Sequence, residues 1–132
     1  HYAPVTRGRG RADRHPDLIA ATLTRLRGQR APWCIENVRS APMSATLMLC
    51  GSMFGLKVRR HRYFVTSWRT LSLLPNCLHR GLLPFEHKGE RAYADAMECT
   101  WMTNREAREA IPPAYSRFLA QFIPASVAAC SA

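Results

Sequence analysis

Residues 31–38 read Ala-Pro-Trp-Cys-Ile-Glu-Asn-Val, a short run that is apolar and favours β-structure until Glu36. Such a run is typical of a buried strand in a parallel sheet. It comes shortly after residues 17–27, in which apolar side chains recur at helical spacing until Gly28 can end the helix. The apolar positions are Leu18, Ile19, Ala21, Leu23 and Leu26. A helix followed this closely by a strand is half of an α/β unit, so we predict an α/β fold.

A second strand is predicted over residues 58–67, which read Val-Arg-Arg-His-Arg-Tyr-Phe-Val-Thr-Ser. Successive side chains of a strand point to opposite faces. One face would carry Arg60, Arg62 and Phe64, and the other His61, Tyr63 and Val65. Between the two predicted strands, residues 42–55 mix small, apolar and sulfur-containing side chains, which predicts a loop with a short strand.

The second half of the chain predicts an irregular segment followed by helices. Residues 69–92 contain proline, glycine, cysteine and histidine without a regular apolar period. Thr103 and Glu106 form the capping-box pattern that begins a helix, and Pro112 ends it. A last helix is predicted from Pro113 to Ile123. Its apolar face would carry Tyr115, Leu119 and Phe122. Trp68 and Trp101 are expected to be packing residues.

Positive charge is concentrated in the first half of the chain. The 132 residues carry 19 Lys and Arg against nine Asp and Glu, a net charge of +10. Residues 1–66 hold 12 basic and three acidic side chains, whereas residues 67–132 hold seven and six. A basic segment rich in arginine favours a nucleic-acid partner, because the guanidinium fork suits phosphate oxygens and base edges. A merely solvated basic face is the alternative.

The composition also bears on the cellular setting. No apolar run reaches the roughly 18 residues that suggest a membrane span, so we expect no membrane partner. The five cysteines are scattered and odd in number, which makes a poor disulfide framework and favours a reducing, cytoplasmic location. The spacing of Cys77, His79, His87 and Cys99 matches no compact zinc pattern, so no metal site is expected.

Two short motifs point to chemistry. Glu36-Asn37-Val38 stands at the carboxyl end of the first predicted strand, where open α/β sheets bind their ligands. A carboxyl group there can exchange a proton with a ligand, although a Glu that caps a loop is the alternative. Arg60 and Arg62 form a guanidinium pair that can hold carbonyl or phosphate oxygens, although a charged edge strand is the alternative.

Together with the linking segment Leu49-Cys50-Gly51-Ser52-Met53-Phe54-Gly55-Leu56, these motifs resemble those of the C5-cytosine DNA methyltransferases, particularly the compact bacterial and phage type. The resemblance covers almost the whole chain. It implies part of a Rossmann-like core that depends on S-adenosylmethionine, with a small, irregular insert for target recognition. It divides the chain into residues 1–68 of the catalytic core, the insert at 69–92, and a helical segment at 93–132 that returns to the core.

The resemblance also implies roles for individual residues. Glu36 would protonate N3 of a flipped cytosine while a thiolate attacks C6, Arg62 would hold O2, and Arg60 would support the site. Asn37 would shape the turn after the strand. DNA would be contacted by Arg7, Arg9, Arg11, His79, Arg80 and Lys88. The cofactor side would include Ile111, Pro112 and Pro113.

The sequence departs from the family pattern in five ways. It contains no Pro-Cys nucleophile loop, and Cys34, inside the predicted strand, is expected to be a packed core thiol. The glycine-rich cofactor loop and the acidic residue for the ribose are absent as well. Val58 replaces a glutamine, and Arg108-Glu109 replaces a Gly-Asn pair.

These departures indicate the C-terminal part of a methyltransferase, beginning just after the nucleophile loop and inactive alone. A separate N-terminal fragment could complete it. The alternatives are a non-enzymatic DNA-binding module and a degenerate remnant.

Overall fold

The computed structural model describes residues 18–70, 73–80 and 92–123. The elements in chain order are helix α1 (Ile19–Arg27), strands β1 (Cys34–Asn37) and β2 (Leu47–Leu49), the short 3-10 helix η1 (Gly51–Phe54), strand β3 (Arg62–Thr66), and helices α2 (Ala92–Ala96), α3 (Asn104–Glu109) and α4 (Pro113–Ala120). The predicted mixture of helices and strands is therefore confirmed. None of the helices in these ranges has the length and apolar composition needed to cross a membrane.

The chain divides into two compact units. Of the described residues, the first unit comprises 18–48, 62–70 and 123, and the second comprises 49–61, 73–80 and 92–122. Strand β3 belongs to the first unit, while the residues just before it, including Arg59 and Arg60, belong to the second.

A three-stranded sheet with the order β1-β3-β2 organises the first unit. β1 runs antiparallel to β3, with Glu36 opposite Phe64 and Asn37 opposite Tyr63. Trp33 and Ser67 extend the pairing, since Ser67 N donates to Trp33 O at 3.0 Å and Trp33 N donates to Ser67 Oγ at 2.9 Å. The expectation of a buried strand in a parallel sheet was wrong. β1 is the edge strand of its sheet, and none of its residues is buried.

Helix α1 follows the sequence prediction closely. It begins at Ile19 and ends at Arg27, and Gly28 caps it by donating its backbone N–H to Leu26 O. The apolar face is narrower than the spacing suggested, because only Ile19 is buried along the helix and Leu18 is 61% exposed.

The core of the second unit is built from the segment around η1 and from the C-terminal helices. The Phe54 ring lies 5.2 Å from the Tyr115 ring and 5.7 Å from the Phe118 ring, measured between centroids. Tyr93 and Met97 are fully buried. Tyr115 and Leu119 occupy the predicted apolar face of α4 and are buried, although the helix ends at Ala120 rather than Ile123. Trp101, expected to pack, is 69% exposed because it lies in the turn between α2 and α3.

Side-chain caps set the starts of α2 and α3. The predicted capping box is confirmed: Thr103 Oγ1 accepts from Glu106 N at 3.3 Å, and Glu106 Oε2 accepts from Thr103 N at 2.8 Å. Helix α2 was not predicted. Its cap comes from a residue later in the chain, since Asn104 Oδ1 accepts from the backbone N–H groups of Tyr93 and Ala94.

Gly51 is a position where only a hydrogen atom fits. An added Cβ would lie 2.3 Å from Val58 O and 2.8 Å from Val58 Cγ1. We expect Gly51→Ala to lower the free energy of unfolding by about 1–3 kcal/mol, because the buried backbone must move to accept the methyl group. Thermal or urea unfolding of the chain measures the loss.

Gly28→Ala is the matched control, because its Cβ would meet nothing closer than Arg25 O at 3.6 Å and would restrict the unfolded chain. Equal destabilisation by the two substitutions would contradict this account of Gly51.

The capping box also makes stability depend on pH. The Thr103 backbone N–H, and then its hydroxyl, hold the pKa of Glu106 below its ordinary value of 4.5. A carboxyl group whose pKa is lower in the folded state stabilises the fold above its unfolded pKa and stops doing so as the pH falls through the folded value. We therefore expect the Tm difference between the wild-type chain and Glu106→Gln to shrink below pH 4.5. Glu109→Gln, in the same helix but outside the box, is the control; a difference independent of pH for Glu106→Gln would contradict the assignment.

Candidate functional site

Glu36 and Arg62 meet on one face of the sheet in the first unit. Because Glu36 is opposite Phe64 in the antiparallel register, Arg62 is its diagonal neighbour on β3. The distance from Arg62 Nε to Glu36 Oε1 is 2.7 Å. Both side chains are half-buried, with 16% of Arg62 and 28% of Glu36 exposed. The two side chains are therefore in direct contact, and we call them the Glu36–Arg62 pair.

Two other residues of β1 flank Glu36 in the sequence. Asn37 Oδ1 accepts from Val38 N at 2.8 Å, which is a contact that sets the turn after β1. Cys34 is exposed, so the expectation of a packed core thiol was wrong; it starts the edge strand. Desolvation of the sulfur, followed by the Glu36 carboxylate, raises the pKa of the Cys34 thiol to about 11. The thiol is therefore protonated at neutral pH and is a poor nucleophile.

Arg60 does not share a strand face with Arg62, because β3 begins only at Arg62. It belongs to the second unit and is 1% exposed. Its guanidinium donates to Tyr93 Oη at 2.7 Å and to Arg108 O at 2.6 Å, while its own carbonyl accepts from Tyr115 Oη at 2.5 Å. These contacts join the predicted strand segment to α2, α3 and α4, so Arg60 supports the packing of helices.

The predicted DNA-contacting residues that the structure describes differ in their exposure to solvent. Arg80 is exposed, as a phosphate contact requires. His79 is half-buried, and its Nε2 atom lies 3.0 Å from His61 Nε2, so its ring is engaged within the second unit. Arg7, Arg9, Arg11 and Lys88 lie outside the described residues.

The predicted cofactor residues form the entry to α4. Pro112 is buried and precedes the helix, Pro113 is its first residue, and Ile111 is half-buried. Their side chains are apolar, so they offer no hydrogen-bonding group for the amino acid or ribose parts of S-adenosylmethionine. The three residues by themselves do not fit a complete site for this cofactor, and no reaction step is derived through it.

Sequence reasoning missed a group of metal-binding side chains in the second unit. Cys50, His61, Cys77 and His79 bring their sulfur and nitrogen atoms within 4.8 Å of one another. We call these four residues the Cys/His cluster. From sequence, Cys77 and His79 were considered together with His87 and Cys99, of which His87 lies outside the described residues. The other, Cys99, is buried elsewhere in the unit, with Sγ donating to Met97 O at 3.7 Å. The sequence signal that could have revealed the Cys/His cluster is the pair Cys77 and His79, which only Leu78 separates.

A cavity of about 570 Å³ opens in the second unit. Its lining consists of Gly55, Leu56, Lys57, Ala92, Asp95, Ala96 and Glu98. None of the site residues predicted from sequence lines it, and it presents charges of both signs, so we give more weight to the Glu36–Arg62 pair as the candidate site.

No protein-family model, curated protein or solved structure matches this chain. The resemblance to C5-cytosine DNA methyltransferases is therefore an expectation from the sequence motifs alone.

Proposed function

We propose that this chain is the C-terminal catalytic part of a DNA (cytosine-5-)-methyltransferase, which transfers a methyl group from S-adenosylmethionine to C5 of cytosine. The observation that carries the proposal is the 2.7 Å contact between Arg62 Nε and Glu36 Oε1. A carboxyl group and a guanidinium that are distant in sequence lie side by side, as recognition of neighbouring N3 and O2 atoms of one pyrimidine requires.

The chemistry of cytosine explains why these two groups would be needed. C5 is weakly nucleophilic, and addition of a thiolate at C6 makes it reactive while placing negative charge on the ring. With the base in the pocket, Glu36 would hold a proton against N3 and release it to N3 as that charge develops. Arg62 would donate to O2, which keeps the base in place and stabilises the same charge. Binding of the base would replace the direct contact between the two side chains.

The partial burial of the pair suits a base that has left its duplex. A flipped base is read through hydrogen bonds to its Watson–Crick edge. On β1 and β3, Glu36 and Arg62 are each fixed by a regular backbone rather than by a mobile loop. The net charge of +10, which the first half of the chain mostly supplies, favours contact with the phosphates of the same DNA.

In this proposal the nucleophilic thiolate and most of the cofactor site come from an N-terminal part, because no Pro-Cys pair and no glycine-rich cofactor loop occur in the sequence. The chain alone should not methylate DNA.

Co-expression tests the proposal. The chain is produced with an N-terminal methyltransferase fragment that carries the nucleophile and cofactor loops, in a bacterial host without cytosine methylation of its own. We expect 5-methylcytosine at one recurring sequence when both parts are present, and none with either part alone. Methylation is mapped across the host genome by base-resolved sequencing, so the recognised sequence need not be known beforehand.

Co-purification of the two parts is the control, because it shows that they assemble. A pair that co-purifies and still leaves the genome unmethylated would contradict the proposal. If the same pair shifts DNA in a salt-dependent manner without methylating it, the non-enzymatic DNA-binding alternative replaces the enzyme.

A further inference from the structure

The Cys/His cluster has the dimensions of a metal site. Cys50 Sγ lies 3.5 Å from His79 Nε2, His79 Nε2 lies 3.0 Å from His61 Nε2, and Cys77 Sγ lies 3.7 Å from His61 Nε2. A tetrahedral zinc ion with Zn–S bonds of about 2.3 Å and Zn–N bonds of about 2.0 Å places its ligand atoms roughly 3.3–3.8 Å apart. These three separations lie close to that range, and all four ligand atoms lie within 4.8 Å of one another.

The identity of the donor atoms points the same way. Both histidines contribute Nε2, the same ring nitrogen, to a group of four neighbouring atoms that includes two sulfur atoms. The centre of this group is the common point at which a cation would lie. If the contact between the two rings were a hydrogen bond, only one ring could donate it, and thiols are weak donors to imidazole. A cation at the common point would instead accept a lone pair from all four atoms, and two thiolates with two imidazoles form a donor set that zinc prefers.

We propose that Cys50, His61, Cys77 and His79 bind one structural Zn²⁺ ion. The four protein ligands would complete a tetrahedral shell and leave no position for a substrate, which distinguishes a structural site from a catalytic one. The inference is independent of the proposed methyltransferase activity, because it uses residues of the second unit alone.

A neighbouring hydroxyl supports one of the ligands. Ser52 Oγ donates to Cys50 Sγ at 3.4 Å and accepts from the backbone N–H of Leu78 at 3.1 Å. Leu78 stands between Cys77 and His79, so this hydroxyl links the segments that supply three of the four ligands. Such outer contacts orient metal ligands and adjust their affinity.

The zinc ion would fix the position of a segment that contains no helix or strand. Residues 73–80 contain no helix or strand, yet they supply Cys77 and His79. Cys50 immediately precedes η1, and His61 immediately precedes β3 in the chain. Coordination would therefore cross-link three segments that are far apart in sequence, which stabilises the folded state by binding to it and not to the unfolded chain.

Metal analysis of the full chain tests the site. The chain is purified under reducing conditions without chelator from cells supplied with zinc, and its metal content is measured by mass spectrometry. We expect about one zinc per chain, falling to near zero in Cys77→Ser. The affinity of Ser52→Ala for zinc should fall about tenfold or more. Cys34→Ser, which removes an exposed thiol outside the cluster, is the matched control and should keep the zinc.

Cobalt substitution of the wild-type chain keeps the test decisive if Cys77→Ser does not fold. Co²⁺ bound by two thiolates and two imidazoles gives intense visible bands of tetrahedral coordination and a thiolate charge-transfer band, and an equimolar amount of zinc should abolish both. A folded, fully reduced wild-type chain that binds neither Zn²⁺ nor Co²⁺ at about one ion per chain would overturn the proposal. So would a cobalt spectrum without the thiolate band.

Discussion

Glu36→Gln is expected to reduce methyl transfer by the reconstituted enzyme by about 10²–10⁴-fold, the range typical of losing a positioned general acid. Glutamine is nearly the same size and can still accept from the Arg62 guanidinium, which donates at 2.7 Å in the wild-type chain. It can still contact N3, but it has no carboxyl proton to release as charge develops. The fall should therefore appear in the rate of the chemical step, measured under single-turnover conditions, with little change in DNA affinity.

Glu98→Gln provides a control for removal of a carboxylate. Glu98 is exposed and lies 3.8 Å from Arg117, a surface ion pair that contributes little to stability. Methylation by Glu98→Gln should match that of the wild-type enzyme. A Glu36→Gln enzyme that is folded and methylates at the wild-type rate would contradict the role assigned to Glu36.

Replacing Arg60 by methionine should have the largest effect on stability. The substitution removes two charge-assisted hydrogen bonds, to Tyr93 Oη and to Arg108 O, from a side chain that is 1% exposed. Hydrogen bonds to a charged group contribute about 1.5–3 kcal/mol each, so a loss of several kcal/mol is expected. Most of the stability of a small domain would be lost, and thermal unfolding would begin at a markedly lower temperature.

Arg62→Met separates the two arginines of the motif. Arg62 is half-buried beside Glu36 rather than enclosed by helices, so its loss should change the Tm much less than Arg60→Met while reducing methyl transfer by about 10²–10³-fold. Equal unfolding temperatures for Arg60→Met and the wild-type chain would contradict the structural role of Arg60. A Tm that falls as far for Arg62→Met as for Arg60→Met would show that the two arginines do not differ in this way.

Local sequence signals predicted those helix ends that are set by residues at the end itself. Gly28 ends α1, and the capping box of Thr103 and Glu106 begins α3, because each signal acts within one turn of the helix it limits. The pairing of Glu36 with Arg62 could be predicted from the sequence for a different reason. Both residues lie in motifs whose resemblance to a family assigns them to one base, and the antiparallel register then makes them diagonal neighbours.

Features that depend on distant parts of the chain were not predictable in this way. Helix α2 takes its cap from Asn104, which lies beyond the end of the helix. A run as short as residues 31–38 has the same pattern in parallel and antiparallel sheets, and the position of β1 at the edge depends on the order of the strands.

The environment of Arg60 and the Cys/His cluster also depend on contacts between distant parts of the chain. Alternation along a strand placed Arg60 beside Arg62, but the strand begins two residues later and the side chain enters a core formed by helices from the other half of the sequence. The Cys/His cluster combines Cys50 and His61 with the close pair Cys77 and His79. These residues come from three separate segments of the chain, so no single stretch has the spacing of a compact metal motif.

The proposed contact between Glu36 and N3 of the target cytosine is tested most directly by a change to the base. Once the recognised sequence is mapped, the affinity of the reconstituted enzyme is measured for DNA whose target is cytosine or 3-deazacytosine, in which a C–H group replaces N3. We expect the deaza base to weaken binding by wild-type enzyme about tenfold, an effect at the lower end of what one base contact contributes. It should have no further effect on Glu36→Ala. Equal losses for both enzymes would show that Glu36 acts elsewhere.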